Sequence, residues 1–190
     1  MLVSIYMPTK NRLELLKRAV ESVLAQTYRD LELWVVNDGS SDGTASYLDS
    51  ASAADPRLKV IHNTQSMGAP ASRNSAIQRS AGMFVTGLDD DDHFHPRRIE
   101  VLVEAWRQHE SSGEKFSCLF TQDLLAAPEA SEVSKKPVRV QYTDLFSYNL
   151  IGNQIFTKRE YLIEAGMFDE QMPAWQDLDT FIRVLRKFGT

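Results

Sequence analysis

The sequence predicts an α/β fold, a Rossmann-like and mostly parallel sheet flanked by helices. Three observations predict it. Short apolar runs rich in β formers alternate with amphipathic stretches of helical length from Leu2 to Thr121. Polar and turn residues gather at the carboxyl ends of those runs, where open α/β sheets bind ligands. The 190 residues, 43% hydrophobic and 25% charged, suffice for one domain with a sizeable core.

Leu2 to Met7 is the first strand, which Pro8 is expected to end. From Arg12 to Gln26, Leu13, Leu16, Val20, Val23 and Leu24 recur at helical spacing, with Asn11 as N-cap and Glu14 completing a capping-box arrangement. Leu31 to Val36 is the second strand. Asn37 to Gly43 is turn chemistry leading into a helix over Thr44 to Ala53. Leu58 to Ile61 forms a short third strand, Ala69 to Ser80 a helix, and Met83 to Leu88 a fourth strand. Pro96 to Gln108 is a helix and Phe116 to Thr121 a strand. Leu124 to Arg139, with Pro128 and Pro137, reads as irregular. Gln154 to Thr157 is a candidate strand, Lys158 to Ala165 a helix, and Gln176 to Phe188 a clear helix.

The formal net charge of -5 argues against a nucleic-acid surface, which needs a basic stripe. The single cysteine, Cys118, lies in an apolar run and reads as core; no internal disulfide is expected, which suits a reducing compartment. Met1 leads straight into strand-like sequence, so no leader peptide is expected. No apolar run approaches the roughly 20 residues of a membrane span. Peripheral membrane association stays open.

The strongest chemical signal is Leu88-Asp89-Asp90-Asp91-Asp92, carboxylates packed together at the end of an apolar strand. Two unit charges about 4 Å apart repel by about 4 kcal/mol at an effective dielectric of about 20. A hard divalent cation such as Mg²⁺ or Mn²⁺ relieves that, and such ions bind through one or two carboxylates plus substrate phosphates. The alternative is a solvated acidic turn ahead of the next helix. Asp38 is either a hydrogen-bond acceptor for a ligand or an Asx-type turn residue beside Gly39. Arg73 stands near a helix start, where the macrodipole favours anions; it either holds a ligand, pairs with an aspartate or is a surface residue.

In the last helix, Leu178, Phe181, Ile182 and Leu185 form an apolar stripe. Asp177 flanks it with no cation one turn on, whereas Asp179 has Arg183 four residues later. Asp177 is thus a candidate general base, or an anion stabilised by the helix dipole. His93 and His95 form a weak zinc-like pair, and Trp175 suits a sugar-stacking, core or lid role.

Gly-x-x-x-x-Gly-Lys-Ser/Thr and Gly-x-Gly-x-x-Gly are both missing, so neither a P-loop nor a dinucleotide fingerprint is expected. Four blocks in order do resemble one family. They are Val3 to Arg12, Leu33 to Thr44, Gly68 to Asn74 with Ala81 to Asp92 and Pro96, and Trp175 to Asp179 with Arg183. The chain resembles the family 2 inverting glycosyltransferases of GT-A fold, from about Leu2 to its end.

That resemblance implies a single catalytic domain over 1–190, with a nucleotide-sugar part at 1–122 and an acceptor and base part at 123–190. It implies nucleotide contacts from Pro8, Thr9, Asn11, Asp38 and Arg73, with Asp38 and Arg73 near the base. Asp89 and Asp91 match the Asp-x-Asp motif, with Asp91 the direct ligand of Mn²⁺ or Mg²⁺. Asp90 is placed toward the ribose or donor sugar, and Asp177 matches the catalytic base. Gln176 stands where the motif often has Glu, and Lys10 where an aromatic is common. The implied donor is a nucleotide-diphosphate sugar, UDP-sugar favoured, and the acceptor a saccharide or lipid-linked hydroxyl. Work in cell-envelope polysaccharide or glycolipid synthesis, in the cytoplasm at the inner face of the membrane, follows from the same resemblance. The rival readings are a donor-binding module without transfer and a sugar-1-phosphate nucleotidyltransferase; the latter usually has a glycine-rich loop where Pro8 to Arg12 stand.

Overall fold

A computed structural model describes residues 1–126 and 131–189. Strands β1 (Val3–Thr9), β2 (Leu31–Asp38), β3 (Leu58–Asn63) and β4 (Phe84–Gly87) run parallel in the order β3-β2-β1-β4. The helices between them are α1 (Leu13–Leu24), α2 (Thr44–Ala54) and α3 (Ala69–Arg79), and α4 (Arg98–Ser111) follows β4. The expected α/β architecture is therefore present.

Side-chain alternation sorts the helices onto two faces. Val3, Ile5 and Met7 of β1 share one buried cluster with Leu16 and Val20 of α1, Leu48 of α2, and Leu102 and Trp106 of α4. Tyr6, between them in sequence, points the other way. It joins a second cluster with Ile77 of α3, Leu162 of α5 (Arg159–Glu164), and Phe181 and Val184 of α6 (Gln176–Phe188).

Five expectations need correction. Pro8 does not end β1, which runs on to Thr9. Tyr6 accepts a bond from Leu88 N–H, so Tyr6 and Pro8 turn their backbones toward β4; β4 stops at Gly87, and the missing N–H of Pro8 loses no ladder partner. The strand after α4 is only Cys118–Leu119, here β5, and it does not join β4. A later strand, Phe156–Lys158, runs antiparallel between the two. The irregular region contains Asp123–Ala126 and Ser131–Ser134, paired antiparallel as a separate two-stranded sheet. Leu124, Leu125 and Val133 are exposed there, so no buried face marked the strands; Pro128 lies outside the described residues. In order after β5 these strands are β6 (Asp123–Ala126), β7 (Ser131–Ser134) and β8 (Phe156–Lys158). Cys118 is partly buried at the edge of the second cluster rather than deep in the core.

Asn11 is not the N-cap of α1. It sits at φ 53, and the helix starts at Leu13. The first turn is capped from the next loop: Leu13 N–H donates to Asp42 Oδ2 at 3.0 Å, while Asp42 Oδ1 accepts from Thr44 N–H at 3.2 Å and from its hydroxyl at 2.6 Å. One carboxylate thus serves the starts of α1 and α2. Asn11 Oδ1 instead accepts the Ser41 N–H at 2.7 Å, and its own N–H donates to Ser40 Oγ. The loops after β1 and β2 are stitched together at the carboxyl end of the sheet.

Candidate active site

The loops after β1, β2, β3 and β4 all leave the sheet at that end, bringing together Pro8, Thr9, Asn11, Asp38 and Asp89 to Asp92. Asp38 ends β2 with its carboxylate turned onto the loop after β3. Oδ1 accepts from Asn63 Nδ2 at 2.8 Å and Met67 N–H at 2.7 Å; Oδ2 accepts from Ser66 Oγ at 2.6 Å and Gly68 N–H at 3.0 Å. Those four bonds fill a carboxylate's usual capacity. Burial alone pushes its pKa up, but the bonds from Met67, Ser66, Asn63 and Gly68 outweigh that and hold it down to about 2. Asp38 therefore braces the 63–68 loop, while the turn at Gly39 is held by Asn37, whose Oδ1 accepts the Ser40 N–H at 3.0 Å. Gly39 is needed beside it: at φ 72, a Cβ there would lie 3.0 Å from Ser66 N.

The acidic run divides into four different environments. Asp89 pairs with Arg73 Nη2 at 2.9 Å. Asp90 is buried, with Oδ2 on the Thr9 hydroxyl at 2.7 Å and Oδ1 3.1 Å from Arg12 Nη1. It is thus turned inward onto β1, where the resemblance implied it faced a donor. Burial raises its pKa, opposed by Thr9 and Arg12. Asp91 is half exposed and lies 2.8 Å from the same Arg12 nitrogen. Asp92 is exposed, its N–H on the Asp89 carbonyl. The charge problem posed by the run is met in this structure by two arginines. Arg12 was in the quoted motif but carried no expected role; its helix-start position gave no hint of carboxylate partners from β4.

Arg73 is buried, and its other terminal nitrogen, Nη1, stands 3.1 Å from Asp177 Oδ1 as an ion pair without hydrogen-bond alignment. Its guanidinium carbon lies 5.3 Å from the centre of the Phe168 ring. Of the readings open for Arg73, pairing with an aspartate is the one realised, and it pairs with two. It joins the end of β4 to the start of α6, though Asp89 and Asp177 are 88 positions apart in the chain (177 minus 89).

The buried residues of α6 are Thr180, Phe181, Val184 and Leu185, while Leu178 and Ile182 are half-buried. That rotates the apolar face from its expected position. Asp177, Phe181 and Val184 stand at i, i+4 and i+7, so Asp177 lies in line with the buried face rather than at its edge. Counting Val184 and Thr180 in the stripe would have revealed this. Burial raises the pKa of Asp177, Arg73 lowers it and Asp89 raises it, with a net upward shift. Asp179 forms the expected pair with Arg183 at 2.6 Å.

The approach to α6 is held from α3. Asn74, next to Arg73, donates to the Phe168 carbonyl at 2.8 Å and to Glu170 at 2.9 Å, and accepts the Phe168 N–H at 3.0 Å. Trp175 is 71% exposed at φ 62, a left-handed conformation that costs an L-residue about 1–2 kcal/mol. Of its open roles, core is ruled out by that exposure. At the floor of the site a Cβ on Gly87 would lie 2.4 Å from the Tyr6 ring, so only glycine fits there.

A divalent cation fits this donor set in one way. Asp91 and Asp89 offer hard carboxylate oxygens, and Asp91 is reachable from solvent. Among the described residues no group of three or more His, Cys, Asp or Glu side chains is placed to hold a metal, His93 and His95 included. Two carboxylates fill only part of a divalent ion's coordination sphere, so an ion held here would take its remaining ligands from water or a bound ligand. Among the described residues no helix is long and apolar enough to cross a membrane.

Residues 4–157 match the family model of Glycosyl transferase family 2. Over 193 residues the chain is 36% identical to the "Putative colanic acid biosynthesis glycosyl transferase WcaA" of Escherichia coli (strain K12), covering 99% of this chain and 67% of that protein. Among solved structures it is similar to S. aureus TarS 1-349 in complex with UDP-GlcNAc, with a TM-score of 0.69, 21% identity, and coverage of 97% of this chain and 54% of that one. It is also similar to the mannosyltransferase PcManGT from Pyrobaculum calidifontis in complex with GDP-Man and Mn²⁺, with a TM-score of 0.71, 20% identity, and coverage of 98% and 52%. The chain spans about half the length of those two structures.

Proposed function

Because the chain belongs to glycosyl transferase family 2, we propose that it moves a sugar from a nucleotide-diphosphate sugar to an acceptor hydroxyl with inversion. The observation that carries the reading is Arg73, whose two terminal nitrogens join Asp89 of the Asp-x-Asp motif to Asp177. A donor group and a base must share one cleft for a single displacement, and this bridge puts their candidates on one buried cation.

In the proposed reaction Asp177 takes the proton of the acceptor O–H. The acceptor oxygen forms its bond to the anomeric carbon from the face opposite the leaving group. The bond from that carbon to the diphosphate oxygen breaks, and its electron pair leaves with the diphosphate. The upward shift of Asp177 suits a base, because a carboxylate held above its ordinary range is a stronger proton acceptor. Mn²⁺ or Mg²⁺ held by Asp91 with Asp89 would offset the charge that develops on the departing diphosphate. Pro8, Thr9 and Asn11 line the nucleotide side of the cleft, and the Asp38-braced 63–68 loop presents the surface for the base. A UDP-sugar is the favoured donor, as in the TarS complex. The proposed acceptor is a saccharide or lipid-linked hydroxyl of cell-envelope polysaccharide synthesis at the cytoplasmic membrane face; the Escherichia coli relative is named for colanic acid biosynthesis.

A thermal-shift screen of nucleotide sugars with Mn²⁺, followed by hydrolysis and transfer assays with the best donor, tests this. Asp177→Asn should keep donor binding and lose transfer. Wild-type turnover in that variant would remove Asp177 from the role. Donor binding with no turnover in the wild-type chain would favour the binding-module reading instead.

A further inference from the structure

Arg12 is a cation that the proposed reaction leaves without a task, yet it stands against the acidic run. Its Nη1 lies 2.8 Å from Asp91 Oδ2 and 3.1 Å from Asp90 Oδ1. Asp90 is buried and tied to Thr9, so that anchor is fixed. Arg12 itself is half exposed, with a side-chain exposure of 51%, so a ligand arriving from solvent can reach its guanidinium. Asp89, the other candidate metal ligand, is engaged by Arg73. A bare cation reaching this site meets two carboxylates that each already hold an arginine, and among the described residues no three-ligand cage to compensate.

We infer that Arg12 is a positioning residue that makes metal binding conditional on the donor. While no nucleotide is present it holds Asp91 and repels a second cation there, since like charges a few ångström apart oppose each other. A diphosphate changes both terms. It offers oxygens to the metal, and it offers Arg12 a new partner, because the planar guanidinium fork matches phosphate oxygens in pairs. Arg12 then leaves Asp91 for the diphosphate, and metal and nucleotide bind as a unit. By linkage each raises the affinity of the other by the same factor. This rests on the donor-site reading above.

The test is direct Mn²⁺ binding, followed by the loss of the free aquo-Mn²⁺ signal in electron paramagnetic resonance, with and without saturating UDP. Relative to wild type, Arg12→Gln should bind Mn²⁺ alone about tenfold more tightly, and the enhancement by UDP should shrink by a similar factor. Its affinity for UDP in the presence of Mn²⁺ should fall. Arg12→Lys, a point charge that reaches one oxygen at a time, should shift both quantities from wild type in the same direction by less, and this shift carries the test if Arg12→Gln does not fold. A folded Arg12→Gln that binds Mn²⁺ alone no more tightly than wild type overturns the inference. Wild-type protein that binds neither UDP nor GDP with Mn²⁺ overturns the donor reading itself; donor binding with no effect of Arg12 on Mn²⁺ overturns only the role given to Arg12.

Discussion

The two ends of this chain treat their functional groups in opposite ways. At the carboxyl ends of β1 to β4, the polar groups answer one another: Asp38 is saturated by the 63–68 loop, Asp42 caps two helices, and Thr9 and Arg12 hold Asp90. Past residue 122, the chain leaves Leu124, Leu125, Val133, Val138, Phe146, Tyr148 and Trp175 exposed. A nucleotide diphosphate is a highly charged ligand, and a preorganised polar cradle suits it. An acceptor saccharide presents C–H faces and hydroxyls, and exposed aromatic rings suit that. The first region should therefore respond to substitution chiefly in stability and donor binding, the second chiefly in acceptor use.

The sharpest break between the two comes from Asp177→Asn. Loss of a general base should lower turnover by about 10²- to 10⁴-fold. Mn²⁺-dependent UDP binding, followed by calorimetry, should stay within about twofold of wild type. A parallel loss of binding would mean that Asp177 belongs to the donor side. Next is Asn74→Ala, which strands the buried Phe168 N–H and carbonyl. Leaving buried groups without partners costs about 1–3 kcal/mol, read from the urea midpoint of unfolding.

Asp38 makes a pH-dependent contribution. Its folded pKa, about 2, lies below the ordinary value of 3.8. Its stabilisation is therefore fully present above about pH 4 and is lost as the pH falls toward 2, by about 2 kcal/mol in all. Asp38→Asn should be less stable than wild type at neutral pH by a similar amount and should lack that part of the acid sensitivity. Equal acid profiles in the two proteins would show that the 63–68 loop is held by something else. The smallest effect on the fold should come from Trp175→Gly. It relieves a left-handed backbone, so stability should hold steady or rise by up to about 1 kcal/mol. The acceptor KM should rise while donor KM does not; a stability loss with unchanged acceptor KM would make Trp175 structural.

Continuous apolar runs of strand length and the roughly 3.6-residue spacing of the helices made the parallel layers legible, because strands covered on both faces are apolar at nearly every position. The acidic run and the loops around it were equally readable, since polar residues after apolar strands fall where such sheets bind ligands. What periodicity missed was whatever depended on a distant partner. β8 enters the sheet between β4 and β5 by a return that local spacing does not encode. Exposed Leu124 and Val133 pair across β6 and β7 without a buried face to betray them. Asn11 had the chemistry of an N-cap, yet Asp42, 29 residues beyond Leu13, supplies the bond.

By itself, the sequence determined the α/β class, the carboxylates at the end of β4 and an aspartate at the start of the last helix, all of which follow from residue type and spacing. Only the tertiary structure decided how those charges are balanced. Arg73 lies between Asp89 and Asp177, Arg12 lies against Asp90 and Asp91, and Asp38 is turned onto its neighbouring loop. Ion pairs act over a few ångström of space, and the chain separations they bridge here, from 16 residues for Arg73–Asp89 to 104 for Arg73–Asp177 (177 minus 73), carry no local signal of which charge will meet which.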